Sequence, residues 1–220
     1  MESSTALQIT DLTIRYDGRA VLKDFSMSLR AGEKALVAGP SGCGKSTVLR
    51  CVLGFTVPEA GSIHIQGKEL TSHSVWSLRK HLAYVAQEPD LGAETIRSIL
   101  EQPFHFRANA SKHDNLERIG ELFERFGLAQ SLLDKEAGDL SGGEKQRVAL
   151  IGAILLDRSI FLLDEATSAL DKAGKQRVAD YFRSRDDVTA LIVAHDPEWF
   201  SFADQTIQVH PDDAGREQTP

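Results

Sequence analysis

Gly39-Pro40-Ser41-Gly42-Cys43-Gly44-Lys45-Ser46-Thr47 is the stretch on which the fold of this 220-residue chain turns. Immediately before it, Lys34 to Ala38 is a short apolar run, and immediately after it Val48, Leu49, Val52 and Leu53 recur at helical spacing. The local order is strand, glycine loop, helix, and Gly39 to Ser46 fits G-x-x-x-x-G-K-[ST] in the context that motif requires. Glycines at such a turn let backbone N–H groups converge on phosphate oxygens, while the helix N-terminus adds partial positive charge. Lys45 is placed to reach the β- and γ-phosphates of a nucleotide, and the Ser46 hydroxyl to bind magnesium.

Upstream of the loop, Phe25, Met27 and Leu29 alternate with polar residues and the chain turns at Ala31-Gly32, which predicts antiparallel strands. Downstream, Pro58 to Gly61 is a turn, Ser62 to Ile65 alternates again, and Leu82 to Val85 predicts a short strand before Gln87. Leu116, Ile119, Phe123 and Phe126 then recur every three to four residues among charges, predicting an amphipathic helix within an inserted helical segment. Ser141-Gly142-Gly143 opens a second helical stretch. Ile160 to Leu163 predicts a buried strand ending in Asp164-Glu165, Lys172 to Arg183 a helix, and Ala190 to Ala194 a strand ending at His195. Strands alternating with helices imply a largely parallel α/β sheet.

Composition narrows the function. Lys plus Arg number 25 against 32 Asp plus Glu, a net charge of −7, which argues against nucleic acid held on a general basic surface. Two cysteines, Cys43 and Cys51, with no secretory signal ahead of them, suggest neither a disulfide framework nor a zinc pair, so a reduced, cytoplasmic setting is expected. No apolar run approaches the ~18 to 20 residues that span a bilayer. Any membrane role must come through a partner. His64, His73, His81, His105, His113 and His210 show no metal-ligand spacing, and Cys43, inside the glycine loop, reads as a small filler rather than a redox switch.

A phosphate site needs a carboxylate to hold its metal, and Asp164 stands at the C-terminal end of a buried strand, where open α/β sheets bind ligands. Asp164 beside Ser46 can complete a Mg²⁺ shell, and Glu165, next in the chain, is placed to orient or deprotonate an attacking water. Ser141, Gly142 and Gly143 form a second anion site at a helix start. One nucleotide does not need two such cradles from one chain. The economical resolution is a two-fold dimer in which the second cradle serves the other subunit's nucleotide.

With these residues in place the sequence resembles the ATP-binding subunit of ABC transporters over residues 5 to 210. In order it carries the P-loop at Gly39 to Thr47, Gln87 at the Q-loop position, the signature Leu140-Ser141-Gly142-Gly143-Glu144-Lys145-Gln146-Arg147, and the Walker B strand Ile160 to Glu165. The D-loop Ser168-Ala169-Leu170-Asp171 and the switch histidine His195 follow. Tyr16 matches the family's adenine-stacking aromatic. The resemblance implies an α/β P-loop NTPase (RecA-like) core with an antiparallel β subdomain and an inserted α-helical subdomain over about 88–150, in one domain over 1–210, with 211–220 a polar tail.

It also implies ATP and Mg²⁺ as cofactors, with Gly39 to Thr47 around the phosphates and Ser46, Gln87 and Asp164 around the metal. Glu165 would polarise water, and His195 would contact the γ-phosphate and Glu165. Ser141, Gly142 and Gly143 would act across a homodimer, with Asp171 touching the opposite subunit. The implied partner is a separate integral membrane permease at the cytoplasmic face of the membrane, with no nucleic acid.

Three departures mark the chain: Ala166 where Pro often follows the Walker B glutamate, Ile151-Gly152-Ala153 where Ala-Arg-Ala is common, and Gly92 where exporters often carry Phe. Length and local sequence are similar to a small bacterial two-component group linked to iron or metal export. Other transported substrates (lipid or lipoprotein, amino acid, phosphate) and a soluble non-transport ABC ATPase are the alternatives. The tandem or coiled-coil architecture of the soluble relatives does not fit in 220 residues.

Overall fold

A computed structural model describes residues 4–17, 19–194 and 197–209. The N-terminal strands β1 (Thr5–Tyr16) and β2 (Arg19–Arg30) pair antiparallel with Leu7 opposite Leu29 and Leu12 opposite Phe25. The glycine-loop unit follows as β3 (Lys34–Ala38) and α1 (Lys45–Val52). Next come β4 (Ala60–Ile65), the two-residue β5 (Lys68–Glu69), the short helix α2 (Val75–Leu78) and β6 (Leu82–Val85). Helices α3 (Ile96–Glu101), α4 (Ile119–Arg125) and α5 (Gly142–Leu155) precede β7 (Ile160–Asp164), α6 (Lys172–Arg183), β8 (Thr189–Val193) and β9 (Gln205–Gln208).

Two sheets result: an antiparallel one in the order β2-β1-β4-β5 and a parallel one in the order β6-β7-β8-β3-β9. In the parallel sheet the register pairs Val85 with Leu163, Asp164 with Val193, and Val193 with Val37. Strands β3, β6, β7 and β8 therefore end on one edge, and the residues that follow them emerge side by side.

The parallel strands read as continuous apolar runs because both their faces are covered. Ala35, Val37, Ile160, Leu162, Leu191 and Val193 pack with α1 and the antiparallel sheet. The intervening Leu36, Phe161, Leu163, Ala190 and Ile192 pack with α3 to α6 on the other face. Strand periodicity of two thus divides one strand between two cores. Cys51 is fully buried among the first set, and burial pushes its thiol up to about 12. Cys43 is buried there too.

The segment from Leu116 to Phe126 departs from the predicted continuous amphipathic helix. Leu116 lies in a run of tight 3₁₀ turns over Ala110–Arg118, and the α-helix is confined to Ile119–Arg125. Leu116 is three residues from Ile119, a spacing that both helix types satisfy. Gly127, at φ 68°, ends α4. Its N–H donates to Glu124 O at 3.0 Å and that of Leu128 to Phe123 O at 2.8 Å. Among the described residues no helix is long and apolar enough to cross a membrane.

Candidate functional site

At the edge where β3, β6 and β7 end, a pocket of about 490 Å³ is lined by Tyr16, Val21, Ser41, Gly42, Gly44, Lys45, Ser46, Thr47, Gln87 and Glu165. Gly42 at φ 78° and Gly44 at φ 102° hold left-handed conformations that a side chain disfavours, and Gly44 is also the N-cap of α1. Gly39 is required by close approach: a Cβ there would lie 2.4 Å from Val209 O and 2.6 Å from Cys43 Sγ. Gly39, Pro40 and Cys43 support the loop from behind rather than lining the pocket.

Lys45 is buried, and its ammonium donates to Gly39 O and Pro40 O, each at 2.9 Å. An ammonium has three donors, so one is left for the pocket that Lys45 lines. Ser46 Oγ donates to Asp164 Oδ1 at 2.7 Å, joining the start of α1 to the end of β7. The other carboxylate oxygen, Oδ2, accepts from Tyr84 OH at 3.3 Å. Burial first, and then the charge and hydrogen bond of Asp164, push the Tyr84 phenol above its usual range. A buried carboxylate bonded to a serine hydroxyl at a helix N-terminus is a hard-oxygen set that suits Mg²⁺.

Glu165 follows directly and is buried, at 9% exposed, with φ 49°. A left-handed glutamate costs roughly 1–2 kcal/mol and needs surroundings that hold it. Its N–H donates to Val193 O at 2.8 Å, and its carbonyl accepts from Ser168 N at 2.9 Å and from Gln146 Nε2 at 3.4 Å. At the pocket mouth Tyr16 is 45% exposed and shares a hydrogen bond with the Thr56 hydroxyl at 3.1 Å. Gln87 is exposed.

The second cradle stands elsewhere. Ser141, Gly142 and Gly143 do not line this pocket. Ser141 caps α5 in a reciprocal box: its Oγ accepts from Glu144 N at 3.3 Å, and its own N–H donates to Glu144 Oε2 at 2.9 Å. The Ser141 hydroxyl, then the Ser141 backbone N–H, hold the Glu144 carboxyl below its ordinary value. A Cβ on Gly143 would sit 3.0 Å from Ala169 O, so the signature loop lies against the D-loop segment. Asp171 caps α6, its Oδ1 accepting from Gly174 N at 2.8 Å. His195 lies outside the described residues.

Two residues near this chemistry escaped sequence reasoning. Tyr84 carries the signal of a polar-tipped aromatic in an otherwise apolar strand, whereas Gln146, between Lys145 and Arg147, carries none.

Comparison with known proteins agrees with this arrangement. A model of the ABC transporter family matches residues 22–168. The chain is 35% identical to the "Probable iron export ATP-binding protein FetA" of Escherichia coli (strain K12), over 96% of its own length and 93% of that protein's. It is 33% identical to the "Energy-coupling factor transporter ATP-binding protein EcfA1" of Bacillus licheniformis, over 100% of its own length and 80% of that protein's. A dimeric structure of a bacterial ABC transporter cassette superposes with a TM-score of 0.83 at 25% identity, covering 93% of this chain and 94% of that one. Loop, carboxylates and signature thus sit in a chain that belongs to the ABC transporter family, as an ATPase subunit that uses ATP and Mg²⁺.

Proposed function

We propose that the chain powers outward transport of iron or a similar metal. It works as an ATP-closed, head-to-tail homodimer beneath a separate integral membrane permease, at the cytoplasmic face of the membrane. The observation that supports an active engine most directly is the 2.7 Å bond to Asp164 from Ser46, which lines the pocket together with Lys45 and Glu165. Residues 1–210 act as one ATPase domain, with about 88–150 as its inserted helical subdomain and 211–220 as a tail.

In this reading Tyr16 stacks on adenine, while Lys45 and the amides of Gly39 to Thr47 hold the phosphates. Ser46, Gln87 and Asp164 hold Mg²⁺, which neutralises charge on the β- and γ-phosphates when bound. Glu165 orients and deprotonates the attacking water, and His195 contacts the γ-phosphate and steadies Glu165. Ser141, Gly142 and Gly143 of a second copy close the site, with Asp171 meeting the opposite subunit. Their absence from the pocket lining supports that assignment.

Ser46→Ala is expected to raise the Mg²⁺ concentration for half-maximal ATP turnover at least about tenfold, in line with losses at metal-site residues. Unchanged Mg²⁺ dependence would remove Ser46 from the metal shell. The cargo is read from likeness to the iron-export relative. Deleting the gene should raise cell-associated iron under iron load, and the parent gene but not Glu165→Gln should restore it. Metal content unaltered by deletion would overturn iron as the substrate.

A further inference from the structure

We infer that Gln146 is a positioning residue for ATP hydrolysis. Its carboxamide ties the peptide at Gln87 to the left-handed turn at Glu165, so that the helix behind the signature loop sets the aim of the Glu165 carboxylate. The inference rests on the reading of Glu165 as the group that directs water.

Gln146 stands one turn into α5 and is 1% exposed. Its Nε2 donates toward Gln87 O at 3.1 Å, Ala86 O at 3.4 Å and Glu165 O at 3.4 Å. Its Oε1 accepts from Ala169 N at 3.2 Å. One amide therefore touches the segment after β6, the residue after β7 and the D-loop, while its backbone belongs to the signature helix. Each of these segments carries a residue assigned to the nucleotide site or to the contact with a second subunit.

A glutamine that merely satisfied itself in a core would need only nearby carbonyls. The acceptors here are the carbonyls of Gln87 and Glu165, two residues that line the pocket, and of Ala86 beside them. Two N–H protons serve three carbonyls, so the amide is shared between the Gln87 side and the Glu165 side and saturated by neither. A shift of either segment alters what remains for the other.

Glu165 is the pocket residue whose backbone needs such a hold. Its φ of 49° is uncommon for a glutamate. The chain fixes it through β8 at the nitrogen and through Ser168 and Gln146 at the carbonyl. Of these, only Gln146 comes from a helix and also grips the Gln87 segment. Removing it loosens the backbone that carries the carboxylate and leaves the phosphate loop untouched, because Gln146 makes no bond to residues 39–47.

The test is a double-mutant cycle on the full chain, with Gln146→Met as a near-isosteric replacement. Alone it is expected to lower kcat by about tenfold or more while KM for ATP stays within about threefold. Added to Glu165→Gln, it should lower single-turnover hydrolysis by less than about twofold, because the group it aims is gone. An equal loss in both backgrounds, a KM that rises in step with the fall in kcat, or parental kcat in Gln146→Met would overturn the inference. Parental kcat in Glu165→Gln alone would instead overturn the reading of Glu165. If ATP fails to raise the melting temperature of Gln146→Met, Gln146→Asn replaces it, since a shorter amide stays polar yet cannot bridge both sides, and the same outcomes decide.

Discussion

Replacing Glu165 by Gln is expected to slow ATP turnover by about 10²- to 10⁴-fold, the range that a positioned general base supplies. The substitution keeps shape and hydrogen bonding but removes the negative charge that accepts a proton from water. Glu165 lines the pocket, and its backbone is held at both nitrogen and carbonyl. Gln therefore enters the same conformation and ATP still binds. Hydrolysis is the step that would reopen a closed dimer, so the variant should accumulate as a dimer on gel filtration with ATP and Mg²⁺. Phosphate release measures the first effect and elution volume the second. A monomer at saturating ATP would sink the shared-site dimer, and parental turnover would sink the role of Glu165.

Ser141→Arg should be nearly as damaging, for a different reason. Ser141 lies away from the pocket formed by its own chain, on an exposed loop held by its capping box with Glu144. In the dimer proposed here that loop faces the partner's γ-phosphate, and a bulky cation there blocks closure. Turnover is expected to fall by about 10²-fold or more, the loss seen on removing a transition-state donor. Fluorescent-nucleotide affinity of the monomer should change by less than about twofold, since surface substitutions away from a site leave it within fractions of a kcal/mol. Parallel loss of binding and turnover would place Ser141 in the site of its own chain and overturn the head-to-tail arrangement.

The parts of the fold that sequence reading reached are those where local chemistry and tertiary environment agree. Strand β7 is apolar at each of its first four positions because both faces are covered, and the run ends where polar Asp164 meets the pocket edge. The α5 start was legible from Ser141-Gly142-Gly143 because the cap is local: Ser141 closes its box with Glu144 within four residues. Strand β9 was not: Gln205-Thr206-Ile207-Gln208 is an edge strand of mixed polarity, and its pairing with β3 is set by partners about 170 residues earlier. Gln146 and the left-handed Glu165 escaped for a related reason. Their conformations answer to segments brought together only by the sheet, and nothing in the neighbouring letters announces either bond.

The close fit of Gly39 against Val209 also bears on how the molecule is made. Val209 N donates to Ala38 O at 2.8 Å, and its carbonyl occupies the space where a side chain on Gly39 would stand. Ribosomes deliver the N-terminus first. The phosphate loop, made early in synthesis, thus lacks its back wall until Val209 has been added. Nucleotide, which stabilises the state that binds it, meets a fully backed loop only once Val209 is in place, a residue that also belongs to the core beneath α1 and the antiparallel sheet.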